Sequence, residues 1–184
     1  MTKKKCIVQL EFLPVILIAL VIAVTPLASI SNEAIASTNQ TSSNNNTGFH
    51  SALDTYVTSE PQGYGIYEER QSNVFSPGET LLLSVEPAGM TYSPITAEGN
   101  GQLYNSKMST DITISDNEGN ILAEVPDLPV SDIISHHQNK ELFLQLSLDQ
   151  QSPFPPGDYV INYVVNDDIS GESFEIVKEI TISG

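Results

Sequence analysis

Apolar and polar residues alternate with a period of two along most of the chain after residue 62, which is the pattern of half-buried β-strands. The alternation is cleanest at residues 140–148, where leucines occupy one face. No segment shows the period of about 3.6 residues that marks an amphipathic helix. Strands are predicted at residues 63–70, 80–86, 109–116, 121–125, 140–148, 159–165 and 172–183. The pattern therefore predicts an all-β domain over residues 62–184.

Two short segments repeat one order of residue types: an aromatic residue, any residue, Pro, Gly and an acid. They are the first corner, residues 75–79, and the second corner, residues 154–158. Each precedes an alternating strand, so we interpret both as tight turns of one design. Gly78 is expected to supply the positive φ of a type II turn after Pro77. The residues assigned structural roles are Phe75, Pro77, Gly78, Pro156, Gly157 and Tyr159.

Three further features refine the strand pattern. Residues 159–165 are apolar on both faces and predict a central strand. Residues 117–120 predict a hairpin turn, and Pro126 and Pro129 are expected to close the strand that follows it, because proline cannot donate to a ladder. Lys178 falls on the inward phase of the last strand. We favour a bulge or an edge position there over a buried stem with the amine reaching solvent.

The segment from Pro156 to Tyr163 resembles the corner that opens the next-to-last strand of immunoglobulin-like and fibronectin-type domains. The resemblance implies an antiparallel β-sandwich of about seven strands. It also implies that the hydroxyl of Tyr159 bonds back to the preceding turn. The inter-sheet cysteines and core tryptophan of the family are missing, which implies a disulfide-free version. Residues 75–89 also resemble a segment of uncharacterised exported prokaryotic proteins, and that resemblance implies no activity.

The first 36 residues have the pattern of a signal peptide. Three lysines precede an apolar run that is densest at residues 15–24, and Ala34 and Ala36 have the spacing of a cleavage site. We predict cleavage after Ala36; the alternative is an uncleaved anchor over residues 7–30, which would be the protein's contact with a membrane. Cys6 follows the lysines directly, so a lipid-attachment site is not expected.

Residues 37–61 are predicted to form a flexible tether. The stretch from 37 to 48 is rich in Ser, Thr and Asn and has no apolar residue, so it cannot bury enough surface to offset its ordering entropy. Asn39 and Asn45 both begin an N-x-[ST] glycosylation pattern, although a stretch of this composition produces such matches by chance. The sequence predicts an order of signal peptide, tether and β-sandwich.

The charge and cysteine content of the chain limit the classes of partner that it is expected to bind. With 7 basic and 23 acidic residues, the chain has a formal net charge of −16 and is expected to repel nucleic acid and anionic lipid. Cys6 is the single cysteine, so the folded domain has no disulfide. A secreted or cell-envelope location is predicted, with a protein or a glycan at the cell surface as partner. The oligomeric state is left open.

The widest gap between predicted strands, residues 87–108, is a candidate binding loop. Met90, Tyr92 and Tyr104 are apolar enough to form a platform for a glycan or peptide. In a second interpretation the loop folds back over one end of the domain. In a third it pairs as an extra hairpin around residues 99–101.

Candidate metal ligands fall at turns. Asp167, Asp168 and Glu172 lie where carboxylates and turn carbonyls often bind calcium, so calcium is the one candidate ion; no other cofactor is expected. Carboxylates also favour turns for conformational reasons alone. His136 and His137 are adjacent and have no third ligand at a recognised spacing, so a solvated loop is expected.

Catalytic motifs are missing from the sequence: it has no G-x-S-x-G, no H-E-x-x-H and no phosphate-binding glycine loop. We therefore expect a non-enzymatic protein. The leading hypothesis is an exported binding or adhesion module. Alternatives are a structural subunit of a cell-envelope assembly that packs through Leu82 and the two-faced strand, and a small metal-binding exported protein.

Overall fold

The computed structural model describes residues 6–10, 48–97, 99, 101–150 and 152–184. Over these residues it contains ten strands and no helix, which confirms the all-β class. None of the described segments could cross a membrane as a helix. The predicted cleavage site and the possible glycosylation sites lie outside the described residues. The strands are β1 (Cys6–Leu10), β2 (His50–Tyr56), β3 (Val74–Phe75), β4 (Leu81–Ala88), β5 (Ser93–Ala97), β6 (Gly101–Asp116), β7 (Ile121–Ser135), β8 (Leu144–Gln150), β9 (Gly157–Asp167) and β10 (Ser173–Ile182).

The first sheet has the strand order β1-β8-β4-β2. Strand β4 is antiparallel to both β8 and β2, and β1 lies parallel to β8. Strand β1 belongs to the predicted leader, so cleavage after Ala36 would remove it from this sheet. The alternation predicted for β4 is confirmed, because Leu81, Leu83 and Val85 are fully buried. On the other face Ser84 and Glu86 are buried too, and Glu86 Oε1 accepts a hydrogen bond from the Gly65 amide at 2.6 Å.

The second sheet has the order β3-β10-β9-β6-β5, with β7 also pairing with β6. Tyr104 and Asn105 of β6 pair with both β5 and β7, so these two strands lie on opposite sides of β6. Strand β9 is hydrogen-bonded to β10 on one side and to β6 on the other. The prediction that it is a central strand is therefore confirmed.

Side chains of both sheets join one buried apolar cluster. Tyr56 of β2 reaches Tyr163 of β9, with 3.4 Å between the hydroxyl oxygens, and its ring meets the edge of Phe75 with centroids 5.1 Å apart. Burial of these hydroxyls raises the pKa of Tyr56 to about 12 and that of Tyr163 well above its usual value. Both phenols therefore stay protonated in the folded protein.

The predicted bulge at Lys178 is absent, and an edge position holds only locally, because β10 lies between β3 and β9 but β3 does not reach Lys178. The ladder between β9 and β10 runs without a register shift past Lys178, and β3 pairs only with Thr181 and Ile182. The amine reaches Asp54 of β2, where Nζ lies 2.7 Å from Oδ1. The charge is thus paired between the two sheets, so no register shift is needed to remove it from the apolar face.

The predicted strand at residues 63–70 is wrong. The structure has a turn there, with Gly65 at φ 66° and a bridge between Gly63 and Ile66, and only Glu69 pairs back onto Val57. Ile66 is 60% exposed, so the alternation in this segment does not reflect a buried face.

The predicted tether is too long at its C-terminal end. Strand β2 lies inside residues 37–61 and pairs with β4, and Phe49, Tyr56 and Val57 are buried. The folded part thus includes residues before 62. The Ser/Thr-rich composition that suggested a tether ends at Gly48, and the apolar residues after it have a strand partner far along the chain.

Pro126 and Pro129 do not close their strand, which contradicts the prediction. Strand β7 continues through both prolines to Ser135. Register shifts against β6 absorb them. At the irregularity between the two prolines, Asp127 has a φ of 51° and donates its amide to Asp111 Oδ1 at 2.7 Å. Within the described residues β7 pairs with one strand of its sheet, so the missing proline N–H groups cost no ladder bond on its other side.

Candidate functional site

The second corner leads into β9 and is held by its own aromatic pair. The rings of Phe154 and Tyr159 stack with centroids 5.3 Å apart, and both side chains are buried. The hydroxyl of Tyr159 donates to the carbonyl oxygen of Pro155 at 2.8 Å. The bond from Tyr159 to its preceding turn, which the resemblance implied, is therefore present.

The hairpin between β6 and β7 lies beside this corner, because Asp116 pairs with Tyr159 in the β6–β9 ladder. The predicted turn is confirmed. Asp116 Oδ1 accepts the amides of Glu118 and Asn120, both at 2.9 Å, and Oδ2 accepts the Asn120 side chain at 2.9 Å. These bonds, led by the Asn120 side chain, hold the pKa of Asp116 below its usual value. The carboxylate therefore stays charged and keeps the turn closed.

The second corner and the hairpin together form an open groove of about 590 Å³. Its exposed apolar side chains are Leu122, which is 39% exposed, and the prolines 153, 155 and 156. The lining residues are Asp116, Asn117, Leu122 and residues 152–159. This groove is the candidate functional site.

The rim of the groove is acidic. Asp158 is exposed, and its Oδ1 accepts a hydrogen bond from the Thr181 hydroxyl at 2.8 Å. Burial, and after it the charge of Asp116, raises the pKa of Tyr159. The site thus combines apolar walls with two carboxylates and a protonated phenol.

The first corner has the predicted turn. Gly78 has a φ of 80°, and the Glu79 amide donates to the Ser76 carbonyl at 3.0 Å. Glu79 Oε2 accepts the Ser76 amide at 2.8 Å and closes the turn from the other side. The second corner differs from the prediction of a matched design, because Gly157 has a φ of 158° and is already the first residue of β9.

Gln150, at the end of β8, connects the two corners. Its Oε1 accepts the Gly78 amide at 3.1 Å and the Phe154 amide at 2.8 Å, and its Nε2 donates to the Glu79 carbonyl at 2.9 Å. Sequence reasoning missed this residue. A polar side chain that ends an alternating strand is common, so no local signal distinguishes it.

The predicted binding platform does not lie in the groove. Residues 93–97 pair with residues 101–105 as the extra hairpin of the third interpretation, with Gly99 and Gly101 at positive φ. Met90 packs against the core cluster, and the Tyr92 hydroxyl donates to the Asn139 carbonyl. Tyr104 is half-buried in β6 opposite Pro94. The long loop is thus mainly a hairpin that extends the second sheet, and Met90 and Tyr92 before it contact the rest of the domain.

The predicted cation ligands connect distant segments. Asp167 is almost fully buried and accepts the Thr91 amide at 2.8 Å and the Ile169 amide at 3.0 Å. Burial by itself would raise its pKa, but these bonds outweigh that effect and lower it. Asp168 Oδ1 accepts the Ser109 hydroxyl at 2.7 Å, and Glu172 Oε2 accepts the Phe49 amide at 3.1 Å.

No group of three or more possible metal ligands occurs in the described part of the chain. His136 and His137 lie on exposed bends after β7, as predicted. Calcium binding at residues 167–172 stays a prediction. A calcium ion there would have to compete with the amide donors that occupy these carboxylates.

The chain matches no protein-family model, and no curated protein matches it either.

Leu122 is a groove residue that the sequence did not reveal, since its place in the strand after the hairpin turn indicated only an ordinary β residue.

Proposed function

We propose that this chain is an exported, non-catalytic binding module built as an immunoglobulin-like β-sandwich, with its binding site in the groove at the second corner. The observation that carries the proposal is the groove itself: an open, apolar-walled concavity at the ends of β6 and β9. Loops and corners on a rigid sheet scaffold are where sandwich domains usually bind their partners.

The sandwich is supported by the shared core. Buried side chains of both sheets belong to one cluster, and Lys178 of β10 pairs with Asp54 of β2. The bond from Tyr159 to Pro155 has the form expected of the tyrosine corner of immunoglobulin-like domains.

A binding role is favoured over catalysis because ionisable groups of the groove are already engaged in hydrogen bonds within the protein. Asp116 is held charged by three hydrogen bonds of its own turn, so it is a poor proton donor. Tyr159 uses its hydroxyl proton in the bond to Pro155. A general acid or base would need a pKa near the working pH.

Export is supported by the leader pattern of residues 1–36, and the net charge of −16 argues against nucleic acid as a partner. The partner class is therefore a protein or a glycan at the cell surface. Contact with a membrane would come only through an uncleaved leader.

The test measures binding of the fluorescently labelled, exported protein to cells. The cells are those of the organism that produces the protein, after deletion of the gene that encodes it. Leu122→Ser should reduce saturable binding, whereas the matched control Ile121→Ser should not. Ile121 is 59% exposed and does not line the groove. Equal binding by both variants, or no saturable binding by the unmodified protein, would overturn the proposal.

Light scattering after size-exclusion chromatography distinguishes a binding module from the alternative, a structural subunit of a cell-envelope assembly. A binding module remains soluble and dissociable from its partner, whereas an envelope subunit is recovered in a fixed stoichiometric assembly. Recovery only in such an assembly would favour the alternative.

A further inference from the structure

We propose that the groove at the second corner binds an extended peptide segment that combines apolar residues with lysine or arginine, and does not bind a glycan. The inference rests on the proposed binding function and names the class of ligand that the same site binds. Three properties of the groove carry it: closed aromatic faces, an apolar part of the lining made of three prolines and Leu122, and an acidic rim.

The aromatic side chains of the groove are not available for stacking. Phe154 is 1% exposed and Tyr159 is 7% exposed, because the two rings cover each other and pack into the core. The chain contains no tryptophan. A sugar that relied on an open aromatic face would find none in this groove.

The proline part of the lining offers few hydrogen-bond partners, and the polar side chains of the lining are those of Asp116, Asn117, Ser152 and Asp158. Pro153, Pro155 and Pro156 have no N–H group, and the carbonyl of Pro155 already accepts the Tyr159 hydroxyl. Leu122 adds an apolar side chain to the same lining. Glycan hydroxyl groups that face these prolines and Leu122 would lose water without replacement, which is unfavourable, whereas aliphatic side chains would gain from the same contact.

The rim supplies the second half of the recognition. Asp116 and Asp158 lie on the groove, and the chain as a whole carries a net charge of −16. A lysine or arginine side chain can lay its aliphatic stem along the prolines while its cationic head reaches a carboxylate. The walls and the rim thus complement one amphipathic cation, and opposite net charge would also speed its association.

The experiment titrates the exported protein with three probes: a short peptide of Lys-Leu-Pro repeats, a neutral counterpart of Gln-Leu-Pro repeats, and chitotetraose. Calorimetry gives the affinities, and NMR shifts show the contact site. The lysine peptide should bind about five-fold tighter than the neutral peptide, a ratio expected from two partly exposed ion pairs, and this ratio should fall as salt is added. The shifts should cluster at Leu122, Asp158 and their neighbours.

Two variants and two matched controls localise the effect. Asp158→Asn keeps the oxygen that accepts the Thr181 hydroxyl and removes one of the two carboxylate charges, so it should lower the preference for lysine from about five-fold to about two-fold. Leu122→Ser should weaken both peptides. Glu118→Gln and Ile121→Ser, which change exposed residues outside the lining, should bind like the unmodified protein. Melting temperatures check that every variant is folded.

Four outcomes contradict the inference: equal binding of the two peptides, tighter binding of chitotetraose, failure of every probe, or shifts away from the groove. Each leaves the proposed function standing if Leu122→Ser still reduces binding to cells. Failure of cell binding as well would remove both.

Discussion

The two corners have the same order of residue types, and each begins with an aromatic side chain that is almost fully buried. Phe75 is 2% exposed and Phe154 is 1% exposed. Beyond this anchor they differ. The first corner closes through its own residues, since Glu79 bonds back to Ser76, whereas the acid of the second corner, Asp158, bonds to Thr181 of the neighbouring strand. The shared residue pattern thus specifies the buried anchor and leaves the turn to its surroundings.

The two corners differ in their surroundings, and we assign the first corner to folding and the second to binding. The first corner is covered by Arg70, whose guanidinium carbon lies 4.1 Å from the centroid of the Phe75 ring. The second corner faces the hairpin of residues 116–120 and leaves an open groove between them. A motif that appears twice in the sequence therefore stabilises the domain in one place and forms a candidate site in the other.

The largest expected effect comes from removing the aromatic anchors. Phe75→Ala and Phe154→Ala should each reduce the free energy of unfolding by about 3–5 kcal/mol, because each leaves a cavity in the core. Urea unfolding measures the loss. Val74→Ala is the control, since Val74 is 43% exposed. In the folded state only Phe154→Ala should also weaken binding of the lysine peptide, and a similar weakening by Phe75→Ala would remove the distinction between the corners.

Replacing Gly78 with valine tests the turn of the first corner. At a φ of 80° a β-branched side chain is strained, so Gly78→Val should cost about 1–3 kcal/mol. Pro77→Ala is the control and should cost about 1 kcal/mol or less, because it acts mainly through the unfolded chain. An unchanged melting temperature for Gly78→Val would show that the turn does not constrain the corner.

Gln150→Ala tests the connection between the corners. It leaves the amides of Gly78 and Phe154 and the carbonyl of Glu79 without their shared partner, and should cost about 1–2 kcal/mol. Gln150→Glu keeps an acceptor for the two amides and should retain part of the stability. Amide hydrogen exchange should show faster opening at both corners; faster exchange at one corner alone would contradict the coupling.

Tyr159→Phe removes the hydroxyl bond of the second corner and should cost about 1 kcal/mol at neutral pH. The pKa of Tyr159 is raised above its ordinary 10.0 in the folded protein. The hydroxyl's contribution is therefore complete below pH 10.0 and is lost as the pH rises through the folded-state pKa. Unfolding of the two proteins from pH 8 upward should show the difference shrinking in alkali. A difference that grows would contradict the direction of the shift.

The smallest effect is expected for Glu79→Gln in the first corner. The ion pair of Glu79 with Arg70 has a separation of 2.7 Å but is partly exposed, so its loss should cost less than about 1 kcal/mol. Added salt should reduce the difference further. A cost that persists in high salt would indicate that the hydrogen bond from Ser76 matters more than the charge.

The sequence alone determined the features that depend on neighbouring residues. The period of two identified β4, β8, β9 and β10, because each buries at least one face. The Pro-Gly pair predicted the positive φ of Gly78, and the residues around Tyr159 implied its bond to the preceding turn.

Tertiary structure alone decided which distant segments meet. Strand β2 belongs to the fold because β4 pairs with it, and β7 tolerates its prolines because it pairs with β6 alone within the described residues. The groove exists because the β6–β9 register places Asp116 opposite Tyr159, and Gln150 unites the corners through its side-chain amide. A local hydrophobic pattern specifies which face of a strand is buried. It does not specify which distant strand becomes the partner, because that choice depends on how the whole chain packs.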